Sequence, residues 1–307
     1  MTPILLYGAL RSGTTLLRLM VEAHPALSNP GEADFLFDHL HGPPDARRYD
    51  LQALRDDRVF RARALDLPEG LDGRPLLEHM LRALAAKGEG VPSVNIHRHV
   101  DVAARLLPDL KVVHLLRDPR DVARSCIGMG WAGAPYHGVA GWIGTETAWD
   151  RALPLIAPER RLEMRFEDLV ADPKAELERL CAFMGVPYDP AMLEFHRSST
   201  YDALDPAIAG RWRRTADPRD VALVEARLGP LLESRGYAPS GHPPTPPAPA
   251  ERLVLAARDR MGVWRFGLRR YGAPRYLGEK LTRRLGLRAA NRRHRLAMQA
   301  IDTRHLK

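Results

Sequence analysis

Residues 4–24 read Ile-Leu-Leu-Tyr-Gly-Ala-Leu-Arg-Ser-Gly-Thr-Thr-Leu-Leu-Arg-Leu-Met-Val-Glu-Ala-His. A short apolar run ends at Gly8. A Gly-containing loop follows, and Thr14 opens an amphipathic segment with Leu16, Leu17, Met20 and Val21 on one face. Strand, loop and helix in that order are the setting of a phosphate-cradling loop. Backbone N–H groups of such a loop and of the helix N-terminus converge on one point, which suits an anion. The spacing is Gly8-x-x-x-x-Gly13-x-Thr15. A loop that hydrolyses ATP or GTP carries Lys after the second Gly. Here that place is Thr14, and the cation, Arg11, lies inside the loop. The pattern predicts a site for a phosphate-like group without NTPase geometry.

Further along, Lys111-Val-Val-His-Leu-Leu116 predicts a second buried parallel strand, and Pro119 suits the first turn of the helix after it. His24-Pro25 ends the first helix. Segments 74–87, 100–107 and 145–157 have helical spacing of apolar residues. Residues 161–166 alternate as a strand, and Asp172-Pro173 starts a helix that Gly185 stops. Strands alternating with helices predict an α/β fold with a central parallel sheet flanked by helices in three layers.

The chain has 307 residues, room for one large α/β domain and an appendage. It carries no run of about 18 apolar residues, so no transmembrane helix is expected. The first strand starts almost at once, which predicts no secretory leader. Cys126 and Cys181 fit no metal or redox pattern, and a reducing, cytoplasmic setting follows. The net charge of +8 is unevenly placed. From Glu251 to Lys307 there are 16 Lys/Arg against 4 Asp/Glu, while the remainder carries 30 against 34. Residues 239–249, Pro-Ser-Gly-His-Pro-Pro-Thr-Pro-Pro-Ala-Pro, read as a semi-rigid linker. The expected organisation is an α/β domain over 1–238, a Pro-rich linker over 239–250 and a basic helical C-terminal extension over 251–307. That extension reads as a surface for an anionic membrane or an acidic partner, peripheral to the membrane in the first case. A solvated charged face is the plain alternative. No specific nucleic-acid partner is expected.

Arg117, at a strand end, and Ser125, about two helical turns on, suggest a second anion site. Ligands of open parallel sheets sit beyond the carboxyl ends of the strands, where both Arg117 and the Gly8–Thr15 loop fall. One ligand with two phosphate-like groups would satisfy both. Trp131, Trp142 and Trp149 border a Gly-rich stretch, 128–144, that reads as a mobile loop. Trp131 is a candidate to line a substrate pocket, and Trp149 reads as core.

With these residues in place, the chain resembles the sulfotransferases that use 3′-phosphoadenosine 5′-phosphosulfate (PAPS), in a P-loop-type layout closest to the tyrosylprotein/bacterial branch. Leu10-Arg-Ser-Gly-Thr-Thr15 is similar to that family's 5′-phosphosulfate motif. Leu115-Leu-Arg-Asp-Pro-Arg-Asp121 with Ser125 is similar to its 3′-phosphate motif. The stretch from Arg165 to Pro173 matches a further block, and Gly210-Arg-Trp-Arg213 resembles the late basic loop that covers the nucleotide. The likeness runs from about residue 3 to 237.

The resemblance implies in-line transfer of a sulfuryl group from PAPS to an acceptor hydroxyl or amine, without a metal. It implies that Arg11, Ser12, Gly13, Thr14 and Thr15 hold the 5′-phosphosulfate, with Arg11 also stabilising charge in transfer. Arg117 and Ser125 would hold the 3′-phosphate, with Arg211 and Trp212 over the nucleotide. Transfer needs a base for the acceptor's proton. Glu32 is the first candidate by the Ala-His-Pro…Gly-Glu layout, and His97 the second. Many relatives carry Lys-x-Pro where this chain has Val94-Asn-Ile-His-Arg-His99 without a Lys, which leaves His97 or Arg98 as sources of the positive charge, or Asn95 as a neutral hydrogen-bonding group in its place. A small molecule, sugar, lipid or peptide all fit as acceptor. Two other readings stand beside this one: a P-loop nucleotide kinase or NTPase, and a non-catalytic protein that binds a nucleotide or an anionic surface.

Overall fold

The structure is a computed structural model, and it describes residues 2–197 and 199–304. Its contacts group the chain into two units, Met1–Val122 with Gly141–Thr215, and Ala123–Ala140 with Ala216–Lys307.

The first unit is built on a five-stranded sheet: β1 (Ile4–Tyr7), β2 (Leu27–Ser28), β3 (Val91–Ile96), β4 (Val112–Leu116) and β5 (Arg161–Arg165). They lie in the order β2-β3-β1-β4-β5. All pairs are parallel, with Leu6 opposite both Asn95 and Val113, and Leu116 opposite Arg165. Parallel strands need crossover connections, which place helices on both faces. The sequence obeys this with continuous apolar strands: all four residues of β1 and all five of β4 are buried.

Alternate residues feed two cores. Ile4, Leu6, Val113 and Leu115 face one layer, against Leu17, Met20 and Val21 of α1 (Thr14–Glu22). Leu5, Tyr7, Val94 and Val112 face the other, with Leu77, Met80 and Leu84 of α2 (Gly73–Ala85). That second layer also holds α3 (Val100–Leu106). The expected three-layer α/β architecture is the one observed.

The helix predicted over 145–157 runs instead over Ala140–Ala152. Together with the short helix Pro135–Gly138, it takes up part of the Gly-rich stretch expected as a mobile loop. Several glycines there serve close packing. In the second unit, a Cβ on Gly133 would stand 2.5 Å from the carbonyl oxygen of Asp259. Trp149 is core, its ring centroid 4.4 Å from that of His114 with the planes tilted by 32°.

The helix Pro119–Gly128 starts in the first unit and ends in the second. Within the second unit, Leu255 of the helix Pro249–Tyr271 packs with Ala134 and Leu223. Arg219 pairs with Glu251 at 2.5 Å. Residues 216–238, expected with the α/β domain, thus group with the basic extension. The extension continues in the helices Ala273–Arg284 and Arg288–Arg304. No helix among the described residues is long and apolar enough to cross a membrane.

One buried charge group stands out in the sheet. His114, fully buried on β4, has Nε2 3.2 Å from Oε1 of the equally buried Glu146 and Nδ1 3.4 Å from Oε2 of Glu163. Burial disfavours the charged ring, but the two carboxylates outweigh it and the pKa is raised. The charged ring therefore stabilises the fold fully below its unfolded pKa of about 6.5, and that stabilisation is lost as pH rises through the raised folded value. His114→Leu leaves Glu146 without this partner and is expected to cost about 3–5 kcal/mol. Urea unfolding below pH 6.5 and at alkaline pH checks both statements, with the difference between wild type and variant expected to shrink as pH rises.

Candidate active site

The loop between β1 and α1 is held in a shape that ordinary residues resist. Arg11 has φ 75° and Gly13 φ 94°, both in the left-handed region. Gly13 is the N-cap of α1 and supplies no side-chain cap, and the first turn carries no acidic residue. The opening N–H groups of α1 therefore face the loop, and the helix dipole adds positive potential there. A Cβ on Gly13 would collide with the Phe166 ring, and one on Gly8 would lie 2.5 Å from the carbonyl oxygen of Leu115. Both glycines are required by close approach. Ser12 is fully buried, and its hydroxyl makes no hydrogen bond among the described residues. A buried hydroxyl without a partner is costly, and an anion in the loop would supply the missing acceptor.

Arg117 stands at the carboxyl end of β4, next to β1. Its Nη1 donates to the carbonyl of Arg11 at 3.0 Å, and Nη2 to that of Ile208 at 3.3 Å. The guanidinium lies 4.2 Å from the centroid of Phe166, the residue after β5 that also fills the space beside Gly13. Its Nε is buried without a hydrogen bond among the described residues. Burial is the main cause that lowers its pKa. Asp121 and Glu167 oppose that shift, and Arg11 adds to it. The two arginines expected to grip one ligand are thus brought to one place, as neighbouring cations whose repulsion an anion would relieve.

Behind Arg117, the chain builds a support from Asp118, Arg120 and Trp212. Arg120, 2% exposed, donates through Nε and Nη2 to Asp118. Trp212 donates from Nε1 to Asp118 at 2.9 Å and from its backbone N–H to Asp121 at 2.7 Å. The guanidinium groups of Arg120 and Arg213 lie 3.9 and 4.4 Å from the centroid of the Trp212 ring. Trp212, expected over the nucleotide, is buried in this support, while Arg211 beside it is exposed. Ser125 is half-buried on the part of the helix Pro119–Gly128 that belongs to the second unit. Trp131, in that unit, is 49% exposed. Trp142 is buried and donates from Nε1 to the carbonyl of Arg117.

On the other side of the loop lie the candidate bases. Glu32 extends the line of β2 through a bridge to Asn95 at the end of β3. Its neighbours bind there too: Asn95 N–H donates to the carbonyl of Gly31, and Ala33 N–H to that of Asn95. Glu32 is half-exposed. Its charge acts on Arg63, whose guanidinium lies against Gly31, and on His97. Asn95 donates from Nδ2 to the carbonyl of Thr14 at 3.0 Å and accepts from Asn29. It fixes the start of α1 and supplies no charge.

His97 is 2% exposed, and both ring nitrogens are engaged. Nδ1 is 2.7 Å from Oδ2 of Asp34, and Nε2 is 3.1 Å from Oγ1 of Thr14. Asp34 is a site residue that sequence reasoning missed. Its sign was only an acidic residue shortly after Gly31-Glu32.

The profile of the Sulfotransferase family matches residues 3–190, more than half of the chain. The chain belongs to that family. Among sulfotransferase relatives, omega-hydroxy-beta-dihydromenaquinone-9 sulfotransferase Stf3 of Mycobacterium bovis is 27% identical over 160 residues. That alignment covers 48% of this chain and 40% of the relative, so this chain matches less than half of that protein's length. Protein-tyrosine sulfotransferase A of Caenorhabditis elegans is 21% identical over 286 residues, 83% of this chain and 72% of the relative. The fold is that of the sulfotransferase domain from the curacin biosynthetic pathway, with TM-score 0.56 and 19% identity over 77% of this chain and 98% of that one. The family match includes the loop, Glu32, His97, Arg117 and Phe166, and stops before Arg211 and Trp212.

Proposed function

We propose that this member of the sulfotransferase family transfers a sulfuryl group from PAPS to an acceptor hydroxyl or amine. The observation that carries the reading is the juxtaposition of the Gly8–Thr15 loop and Arg117, joined by the hydrogen bond from Arg117 to the carbonyl of Arg11. One ligand with anionic groups at both ends suits that pair. Family membership weighs against the kinase or NTPase reading, as does Thr14 in the place of the NTPase lysine.

The residues fit such a ligand. The N–H groups of the loop and of α1, with the hydroxyls of Ser12, Thr14 and Thr15, suit the 5′ end, and Arg117 suits the 3′-phosphate. Arg11 and the helix N-terminus suit the stabilisation of negative charge there. When bound, PAPS supplies an activated sulfuryl group, whose bond to the 5′-phosphate oxygen breaks as the acceptor oxygen or nitrogen bonds to sulfur. Glu32, half-exposed beside the loop, is the proposed base that takes the acceptor's proton. The acceptor class is wide, and a small molecule, sugar, lipid or peptide each presents the group required.

The basic extension is proposed to meet an anionic membrane surface. Leu277, Leu281 and Leu285 recur every four residues along Ala273–Arg284 and its C-cap, and are 41%, 59% and 61% exposed. Arg283, Arg284 and Arg288 border that row. An apolar row edged by arginine suits the boundary between headgroups and acyl chains.

Three outcomes test this reading. Arg117→Ala should weaken binding of adenosine 3′,5′-bisphosphate tenfold or more, from loss of a charge-assisted bond of about 1.5–3 kcal/mol. Calorimetry showing unchanged affinity would remove Arg117 from the site. Glu32→Gln should fold, bind the same nucleotide normally and lose turnover with radiolabelled PAPS, whereas near-normal turnover removes the base role. Leu281→Asp with Leu285→Asp should reduce co-sedimentation with phosphatidylglycerol vesicles while leaving nucleotide affinity unchanged. Equal sedimentation of variant and wild type would reject the membrane surface.

A further inference from the structure

His97 is buried between a carboxylate and a loop hydroxyl, and this placement gives it a role other than proton abstraction from an acceptor. Asp34 holds it twice: Oδ1 accepts the His97 backbone N–H at 2.7 Å, and Oδ2 lies 2.7 Å from ring Nδ1. Thr145 Oγ1 donates to the His97 carbonyl at 3.1 Å, and the Tyr7 hydroxyl donates to the carbonyl of Thr145 at 2.7 Å. Backbone and ring are therefore fixed from both sides. A carboxylate only accepts, so Nδ1 carries a proton in either charge state of the ring.

The far nitrogen, Nε2, has Thr14 Oγ1 as its partner at 3.1 Å, and two arrangements follow. In the neutral ring Nε2 accepts, and the Thr14 hydroxyl spends its proton on it. In the charged ring Nε2–H donates to Oγ1, and the Thr14 proton is released to point elsewhere. Thr14 is the first residue of α1, inside the anion loop. Only the second arrangement lets this hydroxyl donate to an anion there.

We propose that the chain Asp34–His97–Thr14 sets the direction of the Thr14 hydroxyl, and that an anion enters the Gly8–Thr15 loop together with a proton on His97 Nε2, which makes His97 a positioning residue. This deepens the sulfotransferase reading and rests on its assignment of the loop. It also gives a source of positive charge in the stretch 94–99, which carries no Lys: the imidazolium, one residue past the end of β3. The charged groups facing the ring are consistent with that. Burial opposes the charged form. Asp34, by charge and hydrogen bond, and Glu32 favour it and prevail, while Arg98 opposes it. Arg98 is itself turned to Asp38, with bonds of 2.9 and 2.6 Å.

The test is calorimetric titration of the full chain with adenosine 3′,5′-bisphosphate across pH, in buffers of different ionisation enthalpy. Above the ring's pKa, wild type is expected to take up a proton on binding and to lose about tenfold in affinity per pH unit, with neither effect well below it. His97→Gln should bind more weakly, without proton uptake at His97 and without that pH dependence. A base at this position would behave differently: the variant would lose kcat and keep the wild-type pH dependence of nucleotide binding, which would overturn the proposal. Should His97→Gln fail to fold, the imidazole of His97 in wild type is followed by NMR with and without the nucleotide. A rise in its pKa on binding supports the proposal, and an unchanged value overturns it. Failure of the nucleotide to bind at any pH rejects the loop assignment itself, an outcome distinct from binding without proton uptake.

Discussion

The Arg117 guanidinium, laid on the Phe166 ring and bonded to the carbonyl of Arg11, is the contact on which the site depends. It ties together three segments that are distant in sequence: the β1–α1 loop, the end of β4 and the residue after β5. Phe166 serves two of them, since its ring also occupies the space left by the missing Cβ of Gly13. The parallel order β3-β1-β4-β5 makes this possible, because it puts the carboxyl ends of β1, β4 and β5 side by side. The same order places the end of β3, with Asn95 and His97, on the opposite flank of the loop.

The loop is therefore held from two sides by different chemistry. On the β4 side the groups are cationic, and the support behind them is a buried ion pair of Arg120 with Asp118, closed by Trp212. On the β3 side they are amides, a carboxylate and an imidazole. Asn29 bonds to Asn95, Asn95 to the carbonyl of Thr14, and Asp34 to His97. Among the described residues, the Ser12 hydroxyl and Arg117 Nε are buried without a hydrogen bond. Well-packed interiors leave few such groups unpaired, and these two are the observations that support the proposed anion site.

Much of this was legible in the sequence. The apolar runs at β1 and β4 and the helix signals at Pro119 and Asp172-Pro173 have local causes, and they gave the layers and the loop. Arg11 and Arg117 were singled out because each follows an apolar strand, and Glu32 because of the Ala-His-Pro…Gly-Glu layout that the resemblance carries. What was not legible depends on pairing across the chain. Asp34 and His97 are 63 residues apart, and Thr14 and His97 are 83 apart, so nothing local announces that they share hydrogen bonds. Asn95 read as a neutral hydrogen-bonding group, but its partner, the carbonyl of Thr14, is 81 residues away and not legible. The glycines of 128–144 looked like a sign of mobility, because a glycine needed for close approach and one needed for flexibility are the same letter. Trp212 read as a cover for the nucleotide, yet its indole is used to hold Asp118.

The central claim is that a single polyanionic nucleotide spans the loop and Arg117. A crystal structure with adenosine 3′,5′-bisphosphate tests it most directly. The account predicts the 5′-phosphate against the N–H groups of Gly13 to Thr15 and the 3′-phosphate within hydrogen-bond distance of Arg117. A nucleotide seated elsewhere, or one that leaves either end unbound by these groups, would contradict it.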